Sequence, residues 1–272
     1  MGMELTVGAV AYDPKVVTIW ELIRDVTAGA PAHIDYVLYS TYEALVEALL
    51  AGAVDLAWNT NTAFVRTYLR TQGRCRGLVM RDTDRGYTSK LIAPVDSGIA
   101  RLEDLRGKRV AFGSRDSGHA AILPAYYLRQ AGLEAGRDYR AVPFDLDVGK
   151  HGDTGASEGA VLDAVRKGTA DVGFVGDPFW LRALATGTVD ERELEAVWTS
   201  PPYSHCTFTA LSTLSEAAAQ TFVETFVHMD PADPRVRRMM DLEGLRAWVP
   251  TELSGYGDLI AAMSGSGRDG LG

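Results

Sequence analysis

One arrangement of apolar and polar positions occurs twice in this chain. Residues 44–51 have the apolar spacing of a helix, Gly52 follows, and an acidic residue then precedes a short apolar run that ends at Trp58. The same order returns over residues 160–174, with Gly168 at the stop. Glycine ends helices because it readily adopts the left-handed conformation, and so short an apolar run is typical of a buried strand. The repeat therefore predicts two lobes built on one plan.

The segments around each copy extend this prediction. Residues 5–10 and 34–38 read as strands with a helix between them, and residues 109–112 and 139–143 flank a helix over 120–130 in the same way. Two βαβαβ units of this kind predict an α/β fold in which each lobe is a mostly parallel sheet flanked by helices. Further features are a crossover near residues 91–93, a strand over 206–211 that returns to the first lobe, and a loose tail from Ser264. The predicted lobes are residues 1–93 with 188–272, and residues 94–187.

Composition narrows the class of protein. Of 272 residues, 46% are hydrophobic, and 27 Lys and Arg against 36 Asp and Glu give a net charge of −9. Such a chain is typical of a globular protein, and its acidity argues against a nucleic-acid or anionic-membrane partner. No apolar stretch approaches the roughly 18 residues of a membrane span. Cys75 and Cys206 form no ligand motif, so we predict free thiols, no metal and no cofactor.

The N-terminus lacks the basic, apolar and small-residue regions of a secretory signal. The sequence as it stands therefore predicts a cytoplasmic protein, or a periplasmic or extracellular one from which a signal has been removed.

Candidate ligand contacts follow from the topology. In open α/β sheets, ligands bind beyond the carboxyl ends of the strands, where loops and helix N-termini meet. These positions are unusually polar here. In the first lobe they are Tyr12, Asp13, Tyr42, Asn59, Thr60 and Asn61, and in the second Ser114, Arg115, Ser117, Gly118, His119, Asp153, Thr154 and Asp177.

The loop over residues 113–119 is the sharpest of these features. It lies between a strand and a helix, and the unpaired N–H groups and dipole of a helix start bind oxyanions. Ser114 and Ser117 add hydroxyl donors, and Arg115 adds a positive charge. The alternative is purely structural: Ser117 or Asp116 caps the helix, and His119 is a surface residue of its first turn.

Catalytic roles remain open for four residues. Histidine titrates near neutral pH, so His119 and His151, with Asp116 and Asp153, are candidates for general acid–base chemistry. No metal-ligand spacing links the histidines. Asp55 and Asp171 hold matching places in the repeat, which favours a role in capping or orienting a strand over a chemical one.

The chain resembles the phosphonate and phosphite branch of the type 2 periplasmic binding proteins, the solute receptors of ABC importers. Residues 42–58, 104–113 and 160–174 carry the resemblance, which extends over residues 4 to about 260. It implies a ligand cleft between two hinged lobes. In that family a Ser- and Thr-rich turn holds the phosphonate oxygens, which implies contacts from residues of both lobes. These are Ser114, Ser117, Gly118 and His119, with Tyr12, Tyr42, Asn59 and Thr60 from the opposite lobe.

Two functions follow from the resemblance. The first is capture of a small anionic or zwitterionic molecule, such as a phosphonate, phosphate, sulfonate or carboxylate, by hinge closure, with an ABC permease as partner if the protein is exported. The second is a cytoplasmic lyase or dehydratase on the same scaffold, since relatives of this fold include biosynthetic enzymes. The family's Ser-Thr-Ser run is replaced here by residues 116–119, Asp-Ser-Gly-His.

Overall fold

The computed structural model describes residues 2–265, and the chain forms two compact units. The first runs from the N-terminus to Gly86 and includes Ser204–Gly257, and the second is Tyr87–Tyr203 together with the chain from Asp258. The chain thus passes from unit to unit three times. Most of the predicted loose tail, from residue 266 onward, lies outside the described residues.

The described residues form twelve strands and nine α-helices, joined by loops and short helical turns. In chain order they are β1 (Met3–Val10), α1 (Lys15–Thr27), β2 (Ala32–Tyr39), α2 (Tyr42–Leu50), β3 (Leu56–Asn59), α3 (Asn61–Arg70), β4 (Cys75–Gly77), β5 (Val79–Arg81), β6 (Ser89–Pro94), β7 (Arg109–Phe112), α4 (Leu123–Gln130), β8 (Arg140–Pro143), α5 (Ala156–Arg166), β9 (Val172–Gly176), α6 (Asp177–Ala185), β10 (Leu194–Thr199), β11 (Thr207–Leu211), α7 (Glu216–Val227), α8 (Pro234–Glu243), β12 (Trp248–Pro250) and α9 (Gly257–Ser264). Within this part of the chain, none of the helices combines the length and the apolar character needed to cross a membrane.

The first unit is built on a five-stranded sheet in the order β2-β1-β3-β11-β4. Strands β1, β2 and β3 are parallel, whereas β11 is antiparallel to both of its neighbours. An aromatic core lies against this sheet, with the rings of Phe208 and Trp58 4.6 Å apart and those of Phe208 and Phe226 4.8 Å apart. Residues 207–211 thus pair within the sheet of the first unit.

The second unit repeats this design in a sheet of order β10-β6-β9-β7-β8. Strands β7, β8 and β9 are parallel, and β6 is antiparallel to β9 and β10. The predicted α/β class is confirmed. Each sheet, however, joins two parallel pairs to two antiparallel pairs, because one strand of each sheet arrives from the segment that links the units.

The duplicated segment performs the same task in both units. Gly52 and Gly168 end their helices at φ +71° and +67°. The next acidic residue then makes two hydrogen bonds to the neighbouring parallel strand, one through its backbone N–H and one through its carboxylate. Asp55 N–H donates to Thr6 O at 2.9 Å, and its carboxylate accepts from Thr6 N–H at 2.8 Å. Asp171 makes the same pair of bonds with Arg109, at 2.9 and 2.7 Å. The predicted strand-orienting role of both aspartates is confirmed.

The predicted lobe bounds differ from the units. Residues 1–93 and 188–272 were predicted as one lobe, but β6 and β10 belong to the second sheet, where Leu194 pairs with Pro94 and Thr199 with Lys90. This pairing joins segments about 100 residues apart, and hydrophobic periodicity does not report pairing over such distances. Helix α3 directly after β3 is also absent from the predicted elements.

Candidate functional site

The loop after β7 leads into a buried helix start. Ser117 caps the helix by accepting from Ala120 N–H at 3.2 Å, as the structural alternative predicted. A π-helical turn, Gly118–Ile122, precedes α4, and turns of this kind are frequent at functional sites. Ser114 is fully buried, and its hydroxyl has no hydrogen-bond partner among the described residues. A buried hydroxyl without a partner costs free energy, which a ligand at this loop would recover.

Arg115 points away from the buried part of this loop. The residue is exposed, its guanidinium lies 3.0 Å from the Asp145 carboxylate, and its backbone N–H donates to the same carboxylate at 2.7 Å. This pairing fixes the start of the loop at the surface. The positive charge expected from Arg115 is therefore neutralised within the unit.

His119 is buried, not a surface residue as the structural alternative had it. It is 3% exposed, and its Nε2 lies 3.5 Å from Glu158 Oε2. Burial lowers the pKa of His119, but the negative charge of Glu158, with Asp153 and Asp147 farther away, outweighs it and raises that pKa above its ordinary value. The imidazolium form is favoured as a result.

A second histidine accompanies Asp116. His151 is 1% exposed and takes a left-handed backbone, φ +52°, a conformation uncommon outside glycine. Its Nε2 lies 3.7 Å from Asp116 Oδ2, and Gly149 N–H donates to the same oxygen at 2.6 Å. The other oxygen, Oδ1, is buried without a hydrogen-bond partner among the described residues. Asp116 therefore orders the loop that carries His151 and keeps one acceptor unsatisfied.

The loop before α5 is held by a further buried carboxylate. Asp147 is 5% exposed and accepts hydrogen bonds from the hydroxyls of Ser157 and, at 2.8 Å, Thr154. Thr154 itself is exposed and Asp153 is partly buried. The hydroxyl of Thr154 thus supports the loop.

The N-terminus of α6 completes this edge of the sheet. Asp177 is the first residue of the helix, and its carboxylate lies 3.1 Å from Lys90 Nζ. Gly176, just before it, donates to Glu158 Oε1 at 2.6 Å. Glu158 therefore joins the helix start of α6 to His119, and five loop and helix-start segments meet around the two histidines.

The predicted contacts of the first unit divide into buried and exposed groups. Asn59, Thr60 and Asn61 are at most 1% exposed, at the end of β3 and the start of α3. Thr60 caps that helix through Ala63 N–H at 3.3 Å. Asn59 donates to Thr209 Oγ1 at 3.0 Å, yet Asn59 Oδ1 and Asn61 Nδ2 are buried with no hydrogen-bond partner among the described residues.

The remaining three predicted residues have less to offer a ligand. Tyr42 is buried in an apolar cluster, and Tyr12 packs partly against the same cluster. Asp13 is exposed, and its carboxylate accepts from Lys15 N–H at 2.8 Å in the first turn of α1.

Several residues of the second-unit site were not predicted. Glu158 and Asp147 supply its buried carboxylates, and two glycines allow the backbone to approach His119 closely. A Cβ on Gly152 would lie 3.2 Å from His119 Nε2, and one on Gly176 would lie 3.0 Å from His119 Cδ2. The position of Gly152 between His151 and Asp153 was a signal for close approach. Burial of an acidic residue within α5 had no comparable signal.

Comparison with known proteins identifies the family. Residues 12–256 match the family model described as "ABC transporter, phosphonate, periplasmic substrate-binding protein". The chain belongs to this family. Members of this phosphonate family are periplasmic substrate-binding proteins.

Individual relatives of the phosphonate family are distant in sequence. A probable phosphite-binding protein of an ABC transporter, PhnD1 of Prochlorococcus marinus, is 21% identical over 86% of this chain and 78% of its own length. The phosphate-import protein PhnD of Mycolicibacterium smegmatis is 27% identical over 74% of this chain, but the match spans 60% of that protein.

Solved structures show the same fold. The structure of PhnD1 in complex with methylphosphonate has a TM-score of 0.71 at 20% identity, covering 96% of this chain and 97% of that one. A Xanthomonas citri protein, XAC2383, bound to ATP has a TM-score of 0.74 at 17% identity, covering 97% of this chain and 98% of that one. The predicted family and fold are confirmed.

Proposed function

We propose that this substrate-binding protein reversibly captures a small phosphorus oxyanion, of the class of phosphonate, phosphite and phosphate, and releases it unchanged. The observation that carries the proposal is the loop between β7 and the helix that begins at Gly118. Relatives named for phosphite and phosphate, and the methylphosphonate complex of PhnD1, support this ligand class.

The loop has the chemistry that an oxyanion needs. The first turn of a helix presents N–H groups without intrahelical acceptors, and its dipole favours negative charge. The buried Ser114 hydroxyl, which has no partner among the described residues, is available as a donor. The carboxylate neighbours of His119 outweigh burial and raise its pKa, which stabilises the positively charged form of the imidazole beside the helix start. Together these groups favour an anion at the second unit.

We also propose ligand contacts from the first unit. Asn59 Oδ1 and Asn61 Nδ2 are an acceptor and a donor buried at one helix start, both without partners among the described residues. Buried amide atoms without partners are costly and gain from a ligand. Tyr12, Asp13 and Tyr42 are weaker candidates. Asp13 is exposed, Tyr42 is buried in the apolar cluster, and Tyr12 packs against that cluster.

Substitution of Ser114 tests the central contact. Ser114→Ala removes a hydroxyl that makes no hydrogen bond in the free protein, so we expect unchanged or slightly increased stability. Calorimetric affinity for methylphosphonate, phosphite or phosphate should fall about 10-fold, as for one hydrogen bond to a charged ligand. Ser97→Ala in the same unit is the matched control, since the Ser97 hydroxyl accepts from Ile99 N–H within its own turn. Wild-type affinity in Ser114→Ala would contradict the proposal.

Recovery of the bound ligand tests whether the protein changes it chemically. Each oxyanion is incubated with the protein, released by denaturation and examined by ³¹P NMR. We expect the starting spectrum, and a new phosphorus resonance would contradict reversible capture.

A finer part of the proposal concerns the partner. We propose delivery to an ABC permease on the outer face of the cytoplasmic membrane. Delivery predicts ligand-dependent stimulation of the permease ATPase, and an ATPase indifferent to the loaded protein would contradict it.

A further inference from the structure

Two buried polar atoms of the β7 loop are unsatisfied, and they differ in kind. Ser114 Oγ can donate or accept, whereas the Oδ1 atom of Asp116 belongs to a carboxylate, which only accepts. Neither atom has a hydrogen-bond partner among the described residues, and Asp116 is only 9% exposed. A ligand that satisfies both atoms must donate a hydrogen bond to Asp116 Oδ1, and it can accept one from Ser114 Oγ.

If Asp116 turned Oδ2 toward a ligand, this oxygen would lose its contacts with the 144–155 loop. Asp116 Oδ2 accepts from Gly149 N–H at 2.6 Å and lies 3.7 Å from His151 Nε2. These contacts hold Oδ2 on the side of the 144–155 loop. Oδ1 is consequently the oxygen left for a ligand.

We propose that Asp116 makes this protein selective for oxyanions that carry one acidic proton. In this arrangement, which rests on the proposed function, the P–OH group of a phosphonate or phosphite monoanion donates to Asp116 Oδ1, and Ser114 donates to an ionised oxygen. A sulfonate has the same tetrahedral shape and charge but no proton near neutral pH. It would place an acceptor against the carboxylate and leave both unsatisfied.

The energetic consequence is strong discrimination. Sites built to hydrogen-bond a ligand group reject the analogue without that group by large factors, because buried polar atoms are left unpaired and like charges repel. We expect methanesulfonate to bind at least about 100-fold more weakly than methylphosphonate. Above the second pKa of methylphosphonate, the affinity should fall about 10-fold per pH unit as the monoanion disappears.

Asp116→Asn reverses the requirement. Gly149 N–H can donate only to an oxygen, so it holds the amide oxygen in the place of Oδ2 and leaves the NH₂ group in the place of Oδ1. The variant therefore offers a donor where the wild type offers an acceptor. We expect methanesulfonate to gain at least 10-fold over the wild type, and the alkaline decline in methylphosphonate affinity to disappear.

Other titrating groups of the second unit require a differential measurement. His151 lies beside Asp116, the His119–Glu158 pair lies in the adjoining helix turn, and the 144–155 loop carries Asp147, Lys150 and Asp153. Protonation of any of these also affects an anion, and His151 loses a neighbouring negative charge in Asp116→Asn. Methanesulfonate has no proton to lose in this pH range, so its profile with each protein records these contributions and is subtracted from the methylphosphonate profile. The difference between the two corrected pH profiles isolates the contact between Asp116 and the ligand proton.

The experiment is calorimetry of the full chain with methylphosphonate and methanesulfonate from pH 5.5 to 9. Asp145→Asn is the control, since Asp145 contacts the same loop through Arg115 but is exposed, and it should retain wild-type selectivity. Asp116→Ser is a second variant. Because a hydroxyl can donate or accept a hydrogen bond, we expect this variant to bind both methylphosphonate and methanesulfonate.

Each outcome decides one question. If no phosphorus oxyanion binds the wild type at any pH, the proposed function itself fails. If methylphosphonate binds but methanesulfonate binds equally well, or the two corrected pH profiles have the same slope, the role of Asp116 is overturned.

Discussion

Substitution of Gly152 measures how closely the 144–155 loop packs against the helix start. Gly152 has φ +88°, and an added Cβ would lie 3.0 Å from Ser117 Oγ and 3.2 Å from His119 Nε2. Gly136, in the same unit, has φ +79° with nothing within 4 Å of its Cβ position. Both alanine variants therefore pay for a left-handed backbone, but only Gly152→Ala also crowds the site.

The cost of the left-handed backbone and the cost of crowding can be distinguished by their size. A left-handed alanine costs about 1–2 kcal/mol, which is the whole effect expected for Gly136→Ala. Overpacking adds roughly 1–3 kcal/mol, so Gly152→Ala should lose about 2–5 kcal/mol of unfolding free energy. Displacement of the Ser117 and His119 side chains should also weaken methylphosphonate binding at least 10-fold, while Gly136→Ala binds like the wild type.

Urea unfolding and calorimetry on the same preparations provide both measurements. Trp180 and Trp198 report on the second unit, and Trp20, Trp58 and Trp248 on the first. The reasoning is refuted if Gly152→Ala is no less stable than Gly136→Ala, or if it keeps wild-type affinity despite the lost stability. Either result would mean that the loop yields without disturbing the helix start.

Three further predictions concern charged groups. Asp84 is 1% exposed and holds Arg81 through bonds of 2.6 and 2.9 Å, so Asp84→Asn should cost about 3 kcal/mol in urea unfolding by leaving that guanidinium buried without its main partner. The raised pKa of His119 stabilises the folded state fully below the ordinary histidine pKa, and this stabilisation is lost as pH rises through the raised value. His119→Gln should therefore flatten the pH dependence of the unfolding midpoint in that window. Asp55→Asn and Asp171→Asn should each cost about 1–2 kcal/mol, resolved by differential scanning calorimetry as a shift of the transition of the affected unit.

The secondary structure was predictable where apolar spacing was regular. Strand β7 occupies the predicted residues, and the repeat produced the same helix, glycine stop and strand in both units. Helix α3 was missed because its polar start, Asn59-Thr60-Asn61, resembles a loop. The cap formed by Thr60 and the backbone bond from Phe64 N–H to Thr60 O show that the helix begins there. Edge strand β10 was missed as well, because half of its side chains face solvent.

The location of the candidate site was also predictable, because strand order determines which loops share an edge of the sheet. The state of each side chain was not. Position in a helix's first turn suggested an exposed His119, but its burial depends on Glu158 and on the approach of Gly152 and Gly176, which come from other segments. Arg115 likewise turned outward because Asp145, 30 residues later, binds both its backbone and its guanidinium.

The duplicated aspartates show why a repeat can locate a candidate ligand site without contributing to it. Asp55 and Asp171 precede β3 and β9, and each is bonded to the neighbouring parallel strand, Asp55 to Thr6 in β1 and Asp171 to Arg109 at the start of β7. At about 3.3 Å per residue, the four residues of β3 and the five of β9 put roughly 13–17 Å between each aspartate and the loop that follows its strand. The fold thus places its strand-orienting carboxylates at one edge and its helix starts at the other. An acidic residue at the second edge, such as Asp116, needs a different explanation, and the proposed hydrogen bond from a proton on the ligand would supply one.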